Sequence, residues 1–131
     1  MTVLLDTHVL VRWVERSKSL PATVHRAIDR AASAGGAIVS DISLWEIGML
    51  VEGGKLELTL PLREWLTRAT ATPRVQRVGI TPEIVDEMVS LSATHAWDPA
   101  DRILVATGRV LGAKLATMDA RIVDSGLVPT L

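Results

Sequence analysis

The sequence predicts an α/β fold, namely a three-layer α/β/α sandwich with a central, mainly parallel sheet. Short apolar runs rich in Val, Ile and Leu have the length of strands, and their lack of polar alternation is typical of a sheet buried on both faces. Longer segments with helical features separate these runs, which favours a parallel sheet between two helical layers. The expected strands occupy residues 2–5, 37–40, 75–80, 114–117 and 127–130. A length of 131 residues suits one domain over residues 1–131.

Turn and capping residues mark the ends of the expected helices. Pro21 lies near the start of the first long helical segment, and the pair Gly35-Gly36 follows its end. Thr81 has the N-cap position of another helix, with Pro82 at its first residue. Since ligands bind outside the carboxyl ends of the strands in open parallel sheets, we expect the functional side chains at that edge.

Composition excludes several classes of function. The chain has no cysteine, so neither a disulfide framework nor a thiolate metal site is available. Its first residues lack the basic region of a signal peptide, and no stretch reaches the roughly 18 apolar residues of a membrane span. We therefore expect a cytoplasmic protein without membrane contact. A net charge of −1 gives no general attraction for nucleic acid, and a hydrophobic fraction of 48% predicts that a partner covers part of the surface.

Two aspartates follow expected strands. Asp6 comes directly after residues 2–5, and Asp119 follows residues 114–117 with one residue between them. Aspartate is also a preferred N-cap, which stabilises a helix by about 1 kcal/mol. For either residue taken alone, the capping interpretation is favoured.

Glu46 is harder to explain by helix structure alone. No basic residue lies three or four positions away on its own helix, so it has no local partner. Such a glutamate lies either on a narrow exposed strip or in a buried position that is costly without a cation. We favour a functional role slightly over a solvated edge. The neighbours in question are Ile42, Ser43, Met49 and Leu50.

The stretch HAWDPADRILVATG contains two further aspartates. Asp98 has the N-cap position and Asp101 the third helical position, so capping explains both without any activity. Helical phase separates them, because Asp101 and Gly108 fall on a flank beside the inward stripe and Asp98 lies outside the first turn. Asp101 is therefore the better functional candidate, and Gly108 leaves room for another element to approach. The expected stripe is Ile103, Leu104, Thr107, Val110 and Leu111, and the expected outer face is Arg102, Ala106 and Arg109.

Acids gathered at one edge of a sheet indicate a metal site. Their charges repel one another and raise the pKa values unless a cation holds them ionised. Hard oxygen ligands without cysteine suit Mg²⁺ or Mn²⁺, which complete their coordination with water and substrate phosphate. The residues thus point to a metal-dependent phosphodiesterase.

These segments resemble the PIN-domain ribonucleases, in particular the VapC-type toxins of bacterial and archaeal toxin-antitoxin pairs. The resemblance runs nearly end to end through LLDTHVLVRW, SDISLWEIG and DPADRILVATGRVLGAKLATMDARI. It implies an endoribonuclease that hydrolyses RNA phosphodiesters with a water activated by Mg²⁺ or Mn²⁺. It also implies a homodimer whose activity is inhibited by a cognate antitoxin, with a helix of the antitoxin lying over the active-site groove. The catalytic and metal-binding quartet that it implies is Asp6, Glu46, Asp101 and Asp119.

The resemblance also suggests supporting residues. Thr7 and Ser43 would orient metal or phosphate through their hydroxyls, while Asp98 remains a minor candidate for substrate contact. His8 and His95 are interpreted as supporting or packing residues, because an oxygen-rich site does not call for imidazole.

One position departs from the family pattern. Related sequences often carry a lysine shortly after the glutamate, where this chain has Met49 and Leu50. Lys55 remains as a nearby cation. The departure concerns the substrate contacts more than the metal site.

Large apolar and basic side chains indicate possible partner contacts. Among the four tryptophans we expect Trp45 to pack in the core and one or more of the others to anchor an interface. These others are Trp13, Trp65 and Trp97. Arg12 and Arg16 are expected to share a helix face, where they would bind RNA phosphate or an acidic antitoxin tail, or lie in solvent.

Two other classes of protein fit these residues less well than the nuclease. One is a non-catalytic PIN-like interaction module that binds a partner helix in the acidic groove; intact acids at all four positions count against it. The other is a receiver or phosphoryl-transfer domain, which fits worse. TVLLDTH supplies one acid only, and His8 stands where an aspartyl-phosphate phosphatase would have its second aspartate.

Overall fold

Four parallel strands form one sheet in the order β3-β2-β1-β4. The computed structural model describes residues 1–131. Val3 pairs with Ala37 on one side and with Lys114 on the other, so β1 is an interior strand. The strands are β1 (Val3–Leu5), β2 (Ala37–Ser40), β3 (Val75–Val78) and β4 (Lys114–Ala116).

Seven α-helices cover the sheet, and one 3-10 turn lies at Ser92–Thr94. Ser40 caps the helix after β2 by accepting a hydrogen bond from the Ile42 amide, and Thr81 accepts one from the Ile84 amide. The helices are α1 (Thr7–Val14), α2 (Ala22–Ser33), α3 (Asp41–Glu52), α4 (Leu62–Ala69), α5 (Pro82–Ser90), α6 (Pro99–Leu111) and α7 (Ala120–Ser125). None of them is both long and apolar enough to span a membrane.

Alternation along β1 divides the core into two clusters, one on each face of the sheet. Val3 and Leu5 belong to a cluster of 16 buried residues that includes side chains of α1, α2 and α4. Leu4 points the other way, into a cluster of 10 buried residues that includes side chains of α6 and α7. Helices therefore lie on both faces, and the predicted α/β/α sandwich with a parallel sheet is confirmed.

The order of the strands creates a crevice between β1 and β4. Helix α1 follows β1 and packs in the first cluster, whereas α7 follows β4 and packs in the second. The two connections leave the same sheet edge toward opposite faces. This is the topological switch point at which ligands bind in open α/β sheets.

The fifth expected strand, residues 127–130, is reduced to one bridge between Thr130 and Leu115. The Leu115 amide donates to the Pro129 carbonyl at 2.8 Å, and the Leu131 amide donates to the Leu115 carbonyl at 3.0 Å. Pro129 has no amide proton to continue a ladder, so the segment only follows the edge of β4. Strand β3 is shorter than expected and exposes Gln76 and Arg77, so the prediction that every strand is buried on both faces is wrong for it.

The faces of α6 were only partly predicted. Leu104 and Thr107 are buried as expected, but Ala106, assigned to the outer face, is 0% exposed. Val110 and Leu111, assigned to the inward stripe, are each 41% exposed. One cause is that α5 packs along α6 and covers a second side of it.

Trp45 is 56% exposed, so its expected place in the core is wrong. The inward face of α3 is formed by Ile42, Ser43 and Ile47, and Trp45 lies on the opposite side together with the 41% exposed Met49. Helix α3 is apolar on nearly every side, so periodicity alone did not specify which face turns inward. Of the other tryptophans, Trp65 and Trp13 are buried at 1% and 5% exposure.

Arg12 and Arg16 do not share a helix face, contrary to expectation. Helix α1 ends at Val14, and Arg16 has a left-handed backbone conformation with φ of 54°. Its guanidinium turns away toward Asp29, which it contacts at 2.8 and 3.1 Å. Arg12 remains on α1 and faces the edge of the sheet described next.

Candidate active site

A cavity of about 360 Å³ opens at the carboxyl edge of the sheet, at the switch point between β1 and β4. It brings together the four acids of the expected quartet with Thr7 and Asp98, whereas Ser43 lies outside its lining. Only one of the lining residues, Met118, is hydrophobic. The lining is Asp6, Thr7, His8, Arg12, Glu46, Asp98, Asp101, Met118, Asp119 and Arg121.

Asp6 forms the floor of this cavity and caps α1. Its Oδ1 accepts a 2.8 Å hydrogen bond from the Val9 amide, and the residue is only 7% exposed. Burial raises the pKa of the Asp6 carboxyl, an effect that hydrogen bonds from Thr117 and Val9 only partly offset. The ionised carboxylate is therefore stabilised less than it would be in water, which is the situation that a bound cation would correct.

Asp119 caps α7 in the same way. Its Oδ1 accepts a 2.9 Å hydrogen bond from the Arg121 amide, while its own amide donates to Thr117 Oγ1 at 3.1 Å. Thr117 is buried, so it fixes the turn between β4 and α7. The second carboxylate oxygen of Asp119, Oδ2, accepts a 3.1 Å hydrogen bond from Arg121 Nη2, and the Arg121 side chain lines the cavity.

Asp101 lies in the first turn of α6, and Arg121 joins it to Asp119. Arg121 Nη2 is 2.6 Å from Asp101 Oδ2 and 3.1 Å from Asp119 Oδ2. Burial acts to lower the pKa of Arg121, but its hydrogen bond to Asp101 and the charges of both carboxylates outweigh that effect and raise it. The guanidinium also stacks on the Trp97 ring, 4.6 Å from its centroid.

Glu46 enters the cavity from the second turn of α3. It is half-buried and takes part in none of the ion pairs of the chain. It caps no helix, since Ser40 caps α3. Glu46 therefore has no evident structural task, unlike Asp6 and Asp119.

Asp98 has the N-cap position of α6, but its side chain accepts no capping hydrogen bond. The predicted N-cap position of Asp98 is thus confirmed, but the helix dipole, and not a capping bond, is what favours its charge there. Instead the side chain is exposed at the rim of the cavity.

Thr7 and Ser43 contact each other behind the acids. Thr7 Oγ1 donates a 3.0 Å hydrogen bond to Ser43 Oγ, and the two residues are 2% and 0% exposed. This bond ties the start of α1, next to Asp6, to the first turn of α3 that leads to Glu46. The hydroxyls thus join two elements that carry acids.

His8, His95 and Lys55 lie in three different places relative to the acidic cavity. His8 is exposed at the rim of the acidic cavity, whereas His95 is exposed outside it, so the packing interpretation of His95 is wrong. Lys55 lies outside the acidic cavity, in a neighbouring one of about 330 Å³. His8 and Arg12 line both cavities, so the two are continuous.

The donor set suits a hard divalent cation, although no three acidic or histidine side chains converge as a preformed ligand group. Five carboxylate residues line the cavity, namely the four acids of the expected quartet and Asp98, and oxygen donors of this kind are those that Mg²⁺ and Mn²⁺ take. The buried, poorly compensated Asp6 carboxylate fits such an ion as well. The guanidinium of Arg121 contacts two of the carboxylates, Asp101 and Asp119.

Sequence reasoning missed Arg121, Trp97 as its support, and Thr117. Arg121 follows Asp119 by two residues, but it contacts Asp101 on a different helix. No spacing in the sequence predicts that contact. Thr117 could have been predicted, because a threonine directly after a strand and two residues before an N-cap is a suitable acceptor for the turn.

The model of the PIN domain family matches residues 3–125 of the chain. The chain belongs to the PIN-domain family. This PIN domain is 35% identical over 121 residues to a protein of Mycobacterium tuberculosis named Ribonuclease VapC22, and the match covers 92% of the chain and 89% of that relative. The resemblance to VapC-type PIN domains that the motifs suggested is thus confirmed.

Solved structures share the fold of this PIN domain. A chain of VapBC2 from Rickettsia felis, bound to a DNA fragment from its promoter, matches with a TM-score of 0.75, 13% identity and coverage of 100% of this chain and 98% of that one. A chain of DNA-bound VapBC from Salmonella typhimurium matches with a TM-score of 0.71, 16% identity and coverage of 100% and 97%. At these identities the matches establish the fold alone.

Proposed function

We propose that residues 1–131 act as a single PIN domain that is a metal-dependent endoribonuclease, the toxin of a toxin-antitoxin pair in the cytoplasm. The observation that carries the proposal is that Asp6, Glu46, Asp101 and Asp119, from four separate elements, line one cavity at the switch point. Support also comes from the relative named as a ribonuclease, which covers almost the whole chain.

The four carboxylates would hold Mg²⁺ or Mn²⁺, with Thr7 and Ser43 in support. When bound, the ion supplies positive charge and an activated water for in-line attack on an RNA phosphodiester. The chain's own part is to position the acids. Asp6 and Asp119 are fixed by capping bonds to Val9 and Arg121, so a rigid start of a helix carries each of them.

The neighbouring cavity suggests how RNA would lie. Arg12 and His8 line both cavities, and Lys55 lies in the second one. A phosphate backbone that runs from the acids toward Lys55 would meet the cations Arg12 and Lys55 in succession, which gives the local attraction that a net charge of −1 does not provide. Lys55 thus takes the place of the lysine that this chain lacks after Glu46.

A cognate antitoxin and a homodimer complete the proposal. The structures with this fold include complexes named VapBC and a toxin-antitoxin complex from Klebsiella pneumoniae. Trp45 and Met49 expose apolar surface on α3, beside the helix face that carries Glu46 into the cavity. A partner that covers them would also reach the acidic cavity.

Cleavage of RNA by protein freed of antitoxin tests the proposal. Wild type should cleave in Mg²⁺ or Mn²⁺ and stop in EDTA, and Asp6→Asn should lose about 100-fold or more of the rate. Asparagine keeps the capping acceptor for Val9, so the fold should remain. Asp124→Asn, on the exposed side of α7, is the matched control. Absence of cleavage with both metals, together with binding of a partner helix by Asp6→Asn, would favour the interaction module instead.

A further inference from the structure

A single nitrogen of Arg121 contacts two of the four acids. Nη2 lies 2.6 Å from Asp101 Oδ2 and 3.1 Å from Asp119 Oδ2, and these carboxylates come from the first turn of α6 and the N-cap of α7. Asp119 Oδ1 is already engaged by the Arg121 amide. The guanidinium therefore contacts the remaining oxygen of Asp119 and one of the two oxygens of Asp101.

Trp97 provides a second support for the same guanidinium. The Arg121 group stacks on the indole at 4.6 Å, and Trp97 itself packs against the second core cluster. An arginine held over an aromatic face keeps its N–H groups free in the guanidinium plane, where they can donate to carboxylate or phosphate. The indole therefore offers the guanidinium a support that does not depend on the two acids.

The two ion pairs are weak enough to exchange. The side chain of Arg121 is 42% exposed, and those of Asp101 and Asp119 are 23% and 38% exposed, so water screens both pairs. A divalent cation carries twice the charge of the guanidinium and would draw the same oxygens inward. One site cannot hold both cations at the same oxygens.

We propose that Arg121 is a resident counter-cation of the acidic pair, which leaves Asp101 and Asp119 when a divalent ion binds and then donates to the substrate phosphate from the Trp97 face. The proposal rests on the function proposed above and adds to it one phosphate-binding residue and one competition. In the metal-free protein Arg121 offsets the repulsion between the acids; with metal bound, its charge is available to RNA.

Titration of the full chain with Mn²⁺ by calorimetry tests the competition without any activity. Arg121→Gln should bind Mn²⁺ about fivefold more tightly than wild type, the scale of an exposed ion pair. Arg121→Lys keeps the charge and should stay close to wild type. Arg12→Gln is the matched control, because Arg12 lines the same cavity without contacting an acid, and it should change the affinity by less than about twofold.

Tryptophan fluorescence gives a second readout that a merely structural ion pair would not move. Mg²⁺ should change the emission of wild type as the guanidinium shifts over the Trp97 ring. The change should be absent in Arg121→Gln and in Trp97→Phe. Thermal unfolding of each variant checks that the fold is kept.

The results separate this inference from the proposed function. Equal or weaker Mn²⁺ binding by Arg121→Gln, with RNA cleavage intact in wild type, would overturn the competition alone. Tighter Mn²⁺ binding without any RNA cleavage would support the competition and overturn the proposed nuclease. If RNA is cleaved and Arg121→Gln leaves KM for RNA unchanged, the phosphate contact is overturned, since we expect KM to rise about tenfold.

Discussion

Thr7 Oγ1 and Ser43 Oγ lie 3.0 Å apart and form a buried hydrogen bond between α1 and α3. The bond joins the residue after Asp6 to the turn that leads to Glu46. Two of the acids are thus held in register by a contact that neither of them makes. Because the two hydroxyls bond to each other, removing either of them should lower the stability of the fold before it affects the acids.

Removing this bond should lower the free energy of unfolding measurably while reducing the rate of RNA cleavage only moderately. In a double-mutant cycle of Thr7→Val and Ser43→Ala, the coupling in the free energy of unfolding should be about 1 kcal/mol. Urea denaturation measures it. Each single variant should retain RNA cleavage within roughly tenfold of wild type, the smaller loss expected of an indirect support. A loss as large as that of Asp6→Asn at unchanged stability would show instead that the hydroxyls bind metal or phosphate directly.

Asp98 and Thr81 hold equivalent N-cap positions and should differ in their contribution to stability. Thr81 accepts a hydrogen bond from the Ile84 amide at 3.3 Å, whereas Asp98 accepts none. Thr81→Ala should therefore lower the free energy of unfolding by about 1 kcal/mol, and Asp98→Ala by no more than about 0.5 kcal/mol. Thermal unfolding of the two variants side by side measures the difference. A larger loss for Asp98→Ala would show that Asp98 caps the helix as the sequence suggested.

Two helix glycines should respond oppositely to alanine. A Cβ on Gly108 of α6 would lie 2.9 Å from Val128 Cγ2, so Gly108→Ala should destabilise the protein by about 1–3 kcal/mol. A Cβ on Gly48 of α3 would meet nothing within 4 Å, and Gly48→Ala should stabilise by about 0.5–1 kcal/mol. Chemical denaturation measures both. Equal effects of the two substitutions would contradict the close packing of the C-terminal segment on α6.

Asp29 makes stability depend on pH far from the acidic cavity. The hydrogen bond from Arg16 lowers the pKa of Asp29 below its ordinary 3.8, with smaller contributions from Trp13 and Arg74. A lowered carboxyl pKa stabilises the fold above the unfolded-state value, and the contribution is lost as pH falls through the folded-state value. Asp29→Asn should therefore cost up to about 1 kcal/mol at pH ~7, since the pair is exposed, and clearly less at pH ~3, where the contribution is already being lost.

Urea unfolding at the two pH values measures this difference. Asp86→Asn is the control, because Asp86 is exposed and forms no ion pair. Asparagine can still accept the bond from Trp13 Nε1, so the comparison isolates the charge. The same cost at both pH values would mean that the ion pair with Arg16 is not its source.

The sequence predicts those parts of the site that are set by local order along the chain. Asp6 and Asp119 follow strands directly, and parallel strands bring their carboxyl ends to one edge, so their meeting could be predicted. Arg121 could not be predicted, because it reaches Asp101 across two helices through a side-chain conformation. Trp45 was misplaced because α3 is apolar on most sides, so periodicity did not identify its inward face.

The same limits apply to the fold. The alternation of apolar runs and helical segments was sufficient for the sheet and its layers. The end of the chain was not predicted correctly, because an apolar run that contains Pro129 has the composition of a strand but lacks a donor for the ladder. Strand β3 was expected to be buried on both faces, but Gln76 and Arg77 show an edge strand that helices cover only in part.

Glu46 gives the most direct test of the central claim that the four acids serve a metal-dependent ribonuclease. It caps no helix and forms no ion pair, so a substitution there cannot act by removing either kind of contact. The measurement is the rate of RNA cleavage in Mn²⁺ by Glu46→Gln, with the exposed Glu52→Gln on the same helix as control. We expect a loss of about 100-fold or more at an unchanged unfolding temperature, and a wild-type rate for Glu52→Gln. Cleavage by Glu46→Gln within about twofold of wild type would contradict the claim.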